Sequence, residues 1–202
     1  MKNNLINRIL KANKHKTPAS LPEIDYSVFN IPDMPLPDLF KQELEKVGGQ
    51  AFICQTKQQV IKTLKDLFSN NKWQQAFAFD NEIKSLLKAA RIKYSDKTTE
   101  IENIDVGINS CEYLVAWTGS VIVSSAMAGG RQFNIFSPEL IIIARREQLV
   151  LTPDEAMEKI REKYQQLPSQ ISVITGPSKT ADIEKTLIYG MHGPKRLMVI
   201  IY

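Results

Sequence analysis

Leu140-Ile141-Ile142-Ile143-Ala144 is the stretch that decides the fold. Successive side chains of a strand point to opposite faces, so a run that is apolar at every position has to bury both. That condition belongs to the middle of a parallel sheet with helices on its two sides. Downstream, Thr152-Pro153-Asp154-Glu155 carries the marks of a helix start: an N-cap threonine, proline at the first position and a glutamate three residues on. Ala156, Met157, Ile160, Tyr164 and Leu167 then recur at the spacing of one helical face. Further on, SVIT (172–175), a helix expected over Ala181–Tyr189 and LMVII (197–201) read as a strand–helix–strand crossover.

Upstream of the central run, DVGIN (105–109) leads to an expected short helical segment over SCEYLVA (110–116), a turn at WTGS (117–120) and a strand at VIVSS (121–125). The first half shows the same alternation. LFKQELEKVGG (39–49) is a helix ended by two glycines, and AFIC (51–54) is a short buried strand. Thr56 and Gln59 form a capping box before Val60, Ile61, Leu64, Leu67 and Phe68. AFAF (76–79) runs into Asp80, an N-cap for a helix facing inward with Ile83, Leu86, Leu87 and Ala90, and a strand is expected near RIKY (91–94). The expected architecture is therefore α/β, an open and mainly parallel sheet flanked by helices.

Residues 1–37 form a separate expectation. Leu5–Ala12 suits one short amphipathic helix, and Pro18, Pro22, Pro32, Pro35 and Pro37 then keep the chain extended. Tyr26, Val28, Phe29 and Ile31 give such an arm something to bury, which favours a strap on its own domain or on a second subunit of a homo-oligomer over a free linker. Residues 38–202 are the α/β domain. At 202 residues the chain suits one domain with an appended arm and can bury a sizeable core unaided. The 26 basic and 22 acidic residues give a net charge of +4 spread along the chain, against the concentrated stripe of a nucleic-acid binder. Its two cysteines, Cys54 and Cys111, match no metal pair or disulfide framework and read as small buried residues. Two thiols are too few for an iron–sulfur cluster, and His15 and His192 are too far apart to suggest a metal site. With no signal-like or membrane-length apolar run, the cytoplasm is the expected location.

Open α/β sheets hold ligands outside the carboxyl ends of their strands, where loops run into helix N-termini. Thr175-Gly176-Pro177-Ser178-Lys179-Thr180-Ala181-Asp182 is expected there. Gly176 lets backbone approach a ligand, Pro177 stiffens the turn, and the Ser178 and Thr180 hydroxyls stand beside backbone N–H groups that would receive a carboxylate or phosphate. The alternative is that Ser178 or Thr180 only caps the helix while Asp182 and Glu184 complement its dipole. The loop has no Walker spacing and no GxGxxG follows a strand, so nucleotide binding of those kinds is unsupported.

The segment TGPSKTADIEKTLIYGMHGPK (175–195) resembles the C-terminal signature of the LUD (lactate utilisation) domain family, the LutC- and YkgG-like proteins. Thr175, Gly176, Pro177, Ser178, Thr180, Ala181, Asp182, Ile183 and Glu184 match it, followed by Gly190, His192, Gly193 and Pro194. Glu112, Thr118-Gly119-Ser120, the Gly130-Arg131 step, Ser137-Pro138 and ARREQLV (144–150) are also similar to the family, so the likeness runs from about Asp105 to the end. Trp117 and Leu140 depart from it, standing where many members have an acidic residue and a histidine. The resemblance implies a fold like the NagB/ribose-5-phosphate isomerase/CoA-transferase group. It also implies a part in oxidising L-lactate to pyruvate beside partner subunits that carry iron–sulfur clusters, with no cofactor or metal bound by this chain alone. Carried over residue by residue, it marks Thr118, Gly119, Ser120, Arg131, Thr175, Gly176, Ser178 and Thr180 as substrate-binding. Pro177, Asp182, Glu184, Gly190, Gly193 and Pro194 shape the motif.

Two residues are catalytic candidates. His192, in a turn before Gly193-Pro194, either handles a proton, grips a carboxylate or caps a helix end. Glu112 either sits at a helix start, stabilised by the dipole, or is an active-site carboxylate like the acylated glutamate of related CoA-transferase folds. Arg131, after two glycines, offers a guanidinium fork that suits a carboxylate, or is an ordinary surface arginine. Ser124 and Ser125 either line the same site or end a strand. Beside the lactate reading stand two others: a free-standing enzyme on a sugar phosphate, CoA ester or folate, and an assembly module whose arm docks partner subunits.

Overall fold

The structure is a computed structural model that describes residues 8, 25, 26, 29–97, 104–129, 137–181, 187–189 and 193–202, with only the backbone of 180, 181 and 187–189. Met1–Ile31 and Pro32–Tyr202 are separate compact units. Most of the first, including the expected helix over Leu5–Ala12 beyond Arg8, lies outside the described residues. Within it, Phe29 N donates to the Tyr26 carbonyl at 3.0 Å and the two rings stand 6.2 Å apart.

The second unit opens with α1 (Leu36–Lys46), which has proline in its first turn and buries Leu39, Phe40 and Leu44. The chain then runs through β1 (Gln50–Ile53), α2 (Lys57–Asn71), β2 (Gln75–Phe77), α3 (Asn81–Ala90), β3 (Lys93–Ser95) and β4 (Val106–Asn109). Next come β5 (Tyr113–Val115), β6 (Ser120–Ser124), β7 (Glu139–Ala144), β8 (Leu149–Val150), α4 (Pro153–Lys163) and β9 (Ile171–Ile174). A hairpin of β10 (Lys179–Ala181) and β11 (Leu187–Tyr189) precedes β12 (Arg196–Ile201).

Six of these strands form one parallel sheet in the order β1-β12-β7-β4-β2-β3. β7 is an inner strand with Ile141 opposite Met198 on one side and Ile108 on the other, as its two apolar faces require. Ile141, Ile143, Met198, Ile200, Val106 and Ile108 pack with Val60, Leu64, Leu67 and Phe68 of α2 and Ile83, Leu86 and Leu87 of α3. Leu140, Ile142, Leu197, Val199 and Ile201, on the other face, are buried too. At roughly 1.5–3 kcal/mol for each large apolar side chain removed from water, this double burial is the main stabilising term of the domain. The helix starts follow the sequence closely. Thr56 accepts from Gln59 N, Asp80 from Glu82 N and Ile83 N, and Thr152 from Glu155 N. The Gln59 and Glu155 side chains reach back one residue past the cap, to Gln55 N and Leu151 N.

A second, four-stranded sheet, β8-β5-β6-β9, is the part the sequence reading did not foresee. α4 covers it, with Ala156 and Ile160 against Val115, Ile122 and Val150. Three expectations are corrected by it and by the separate two-stranded β10–β11 pair. SCEYLVA is not helical: Tyr113–Val115 is a strand paired with both β6 and β8. The helix over Ala181–Tyr189 is replaced at both of its ends by the strands of the β10–β11 hairpin, where Thr180 and Ile188 face each other in register. The strand–helix–strand crossover dissolves with it, because β9 pairs antiparallel with β6 in the small sheet while β12 lies in the large one. None of the described helices is long and apolar enough to cross a membrane.

Candidate functional site

The loops that carry the motif residues gather at the amino edge of the large sheet. Thr118-Gly119-Ser120 joins β5 to β6, Thr175 to Ser178 follows β9, and Gly193-Pro194 precedes β12. Thr118 Oγ1 and Ser120 Oγ are 2.7 Å apart, and Ser120 Oγ and Thr175 Oγ1 are also 2.7 Å apart, so three hydroxyls separated by up to 57 positions form one chain. Antiparallel pairing of Val121 with Ile174 brings the two loops together. Gly119 has φ +61° and Gly176 φ +85°, both in the left-handed region. A Cβ on Gly119 would collide with the backbone of Leu44 and stand 2.6 Å from the Glu43 carbonyl carbon. One on Gly176 would stand 2.9 Å from Val47 Cγ2. Lys179 Nζ donates to the Val47 carbonyl at 2.8 Å, closing the C-terminal end of α1. Ser178 N donates to the Pro194 carbonyl at 2.8 Å, and Lys195 N to that of Pro138 at 2.7 Å.

This arrangement differs from the expected loop in two respects. TGPS runs into a strand rather than a helix, so no helix dipole stands behind it, and the Ser178 amide is already bonded within the fold. Moreover, the loops adjoin the starts of β1, β7 and β12 rather than their carboxyl ends. Arg131, Asp182, Glu184, Gly190 and His192 lie outside the described residues, as does the Thr180 side chain.

Glu112 stands apart from the hydroxyl chain. It precedes β5 and meets Ser124 at the far end of β6, four residues from Ser120, or about 13 Å along an extended strand. A three-carbon acid cannot touch both. Nor does Glu112 open a helix; its amide donates to the Ile122 carbonyl at 2.8 Å. The residue is 2% exposed. Oε1 accepts from Ser124 Oγ at 2.5 Å and Tyr164 OH at 2.8 Å, and Oε2 accepts from Lys163 Nζ at 2.7 Å. Burial alone would raise its pKa, but hydrogen bonds from Lys163, Ser124 and Tyr164 and the Lys163 charge outweigh that, leaving it below the ordinary glutamate value. Lys163 is raised in turn: burial lowers it, and the Glu112 carboxylate more than compensates. Burial, then the Glu112 charge, pushes the neighbouring Cys111 thiol far up, so it is held protonated and unreactive. Cys54 is buried as well. Ser124 ends β6 and is bonded to Glu112, while Ser125 follows the strand with its hydroxyl 3.0 Å from that of Ser169.

The carboxyl edge of the large sheet carries a different set, to which the sequence reading assigned no binding or catalytic role. Asp80 follows β2, Ser110 follows β4, Arg145 follows β7 and Tyr202 follows β12; with Glu82 and Gln148 they line a cleft of about 40 Å³, room for a water or two. Glu82 accepts from Arg145 Nη2 at 2.5 Å, Tyr202 OH at 2.9 Å and Lys57 Nζ at 3.3 Å. Burial would raise its pKa; Arg145, Tyr202 and Lys57 together bring it below the ordinary value. The available signal was the family-like ARREQLV segment (144–150), whose two arginines directly follow the apolar run of β7. Among the described residues, no three His, Cys, Asp or Glu side chains are placed to hold a metal ion.

Residues 38–202 match the LUD domain. The chain is 26% identical over 175 residues to lactate utilization protein C of Oceanobacillus iheyensis, covering 82% of this chain and 69% of that one. Over 112 residues it is 31% identical to the uncharacterized protein YkgG of Escherichia coli K12 and 32% identical to lactate utilization protein C of Bacillus subtilis 168. These two matches cover 54% of this chain and about half of the relatives' own length, 48% and 47%. Among solved structures, a DUF162 family protein from Deinococcus radiodurans superposes with a TM-score of 0.62 at 15% identity, covering 89% of this chain and 99% of that one, which speaks for the fold. The domain match spans the sheet, the helices around it and every motif loop at its amino edge; the chain belongs to the LUD domain family.

Proposed function

We propose that the chain acts in lactate utilisation, as a subunit that works beside iron–sulfur partner subunits in the oxidation of L-lactate to pyruvate. The observation that carries the reading is the match of residues 38–202 to a family whose named relatives include lactate utilization protein C. Conversion of lactate to pyruvate releases two electrons and two protons. A cluster to take the electrons needs about four cysteine thiolates. This chain has two cysteines, both buried, one of them with its thiol held protonated, so the donor set does not fit a cluster and the electrons go to the partners. On this reading the motif residues Thr118, Thr175, Ser178 and Thr180, with Arg131, hold a 2-hydroxy acid, buried Ser120 supports the Thr118 and Thr175 hydroxyls from behind, His192 takes the hydroxyl proton, and the Cα proton passes to solvent as the two electrons leave. Glu112, sealed by three donors, braces the small sheet.

Deleting the gene tests it. Growth on L-lactate as sole carbon source should fail while growth on pyruvate continues, and the full chain supplied in trans should restore it. Undiminished growth on lactate without the gene rejects the role.

A further inference from the structure

We propose that the carboxyl-edge cleft binds the carboxylate of a small organic acid through Arg145, Lys57 and Tyr202, and that the Glu82 side chain fills that position from within. The three donors come from three separate elements, the start of α2 and the ends of β7 and β12, yet converge on a single carboxylate borne by the first turn of α3. They hold both of its oxygens, Arg145 on one and Tyr202 with Lys57 on the other. A planar two-oxygen acceptor beside a guanidinium is the arrangement a bound carboxylate adopts.

The place agrees with the chemistry. The cleft lies where strands of an open parallel sheet end, and α2 and α3 both begin beside it, directing the positive ends of their dipoles toward it. Arg146 adds a third cation nearby, donating to the Cys54 carbonyl and to Gln55 Oε1 at the end of β1. Asp80 opposes them, but its Oδ1 is committed to capping α3. With room for only a water or two beside Glu82, an acid enters as Glu82 turns outward, and its 37% exposed side chain has solvent to turn into. A bulky ligand is excluded; acetate, pyruvate and lactate are of the right size.

The proposal does not rest on the lactate reading, since acetate is its first probe and growth on lactate does not bear on it. Calorimetric titration of the full chain at constant ionic strength with acetate, pyruvate, L-lactate and inorganic phosphate tests it. Glu82→Gln keeps the shape and removes the internal charge, so it should bind acetate and pyruvate at least about tenfold more tightly than the wild type. Adding Arg145→Ala should undo that gain. Equal affinities in wild type and Glu82→Gln, or a gain that survives Arg145→Ala, overturn the proposal. So does an equal gain for phosphate, which would make the site a general anion patch. If Glu82→Gln does not fold, Glu82→Asp, whose carboxylate is drawn back by one methylene, should show the same order with a gain of about threefold, and no gain there overturns it equally.

Discussion

The two edges of the large sheet are built by opposite means. At the amino edge, packed chain meets packed chain at the end of α1: a carbon added to Gly119 would collide with the Leu44 and Glu43 backbone, and one added to Gly176 would stand 2.9 Å from Val47 Cγ2 and 3.1 Å from the Val47 carbonyl oxygen. At the carboxyl edge, side chains meet side chains across a partly open cleft, with Glu82 shared among Arg145, Lys57 and Tyr202. Contacts of the first kind are all or none, because packed backbone does not yield. Those of the second kind exchange readily, since an exposed ion pair trades its partner for water at little cost. The substrate-binding residues carried over from the family therefore mark the edge where the fold is least forgiving, while the edge with exchangeable groups carries only the ARREQLV likeness, to which no site role was attached.

Gly119→Ala strikes the first kind hardest. It adds a Cβ at φ +61° directly against α1, and should cost about 3 kcal/mol or more, read as a fall in the urea midpoint. A variant as stable as the wild type would erase the contrast between the edges. Lys163→Met comes next, leaving the Glu112 carboxylate buried without its cation. Breaking a fully buried pair costs about 3–5 kcal/mol, and because the Lys163 side chain is 51% exposed, screening trims this to about 2. The loss should depend on pH. Glu112 is depressed in the folded state, so its stabilisation is complete above the ordinary carboxylate range and disappears as pH falls through the lower folded value. Lys163 is raised, so its share persists until pH climbs through the raised ammonium value, well into the alkaline range. Unfolding midpoints of the two proteins should thus converge from about pH 7 toward about pH 3. A gap that stays constant across that range would show the pair to be worth nothing.

Ser120→Ala should cost about 1–2 kcal/mol, the worth of two hydroxyl contacts near 2.7 Å in a buried position, and Thr175→Ala about half as much. That link between positions 55 apart shows where sequence reading stops. The β7 run and the caps at Thr56, Asp80 and Thr152 are legible because each is settled by its own neighbours. Tyr113–Val115 is not, since three residues are too few to separate a period of two from one of 3.6, and its strand character comes from β6 and β8. The β10–β11 hairpin is hidden for a second reason: TADIEKTLIY combines a polar, acidic start with apolar residues four apart, a helical pattern that masks its strand-favouring Thr, Ile and Tyr. Cys111 and Cys54 were legible as buried residues, whereas the Glu112–Lys163 pair joins segments 51 apart that only the small sheet and α4 bring together.

The smallest expected effect is the most diagnostic for the contrast. Glu82 has as many partners as Glu112, three donors on two oxygens, so by hydrogen-bond count the two carboxylates should matter equally. Their surroundings differ. Glu112 has a side chain with no exposed surface, whereas Glu82, Arg145 and Lys57 are all more than a third exposed, and water replaces what Glu82 gives up. Glu82→Gln should therefore move the melting temperature by no more than about 3 °C, and raising the salt concentration should shrink even that difference. Glu112→Gln, which keeps the shape but leaves Lys163 without its counter-charge, should lower it several times further and with little sensitivity to salt. Equal shifts for the two variants would mean that the carboxyl edge is as rigidly built as the small-sheet brace, and that Glu82 holds its place too firmly to give way to a ligand.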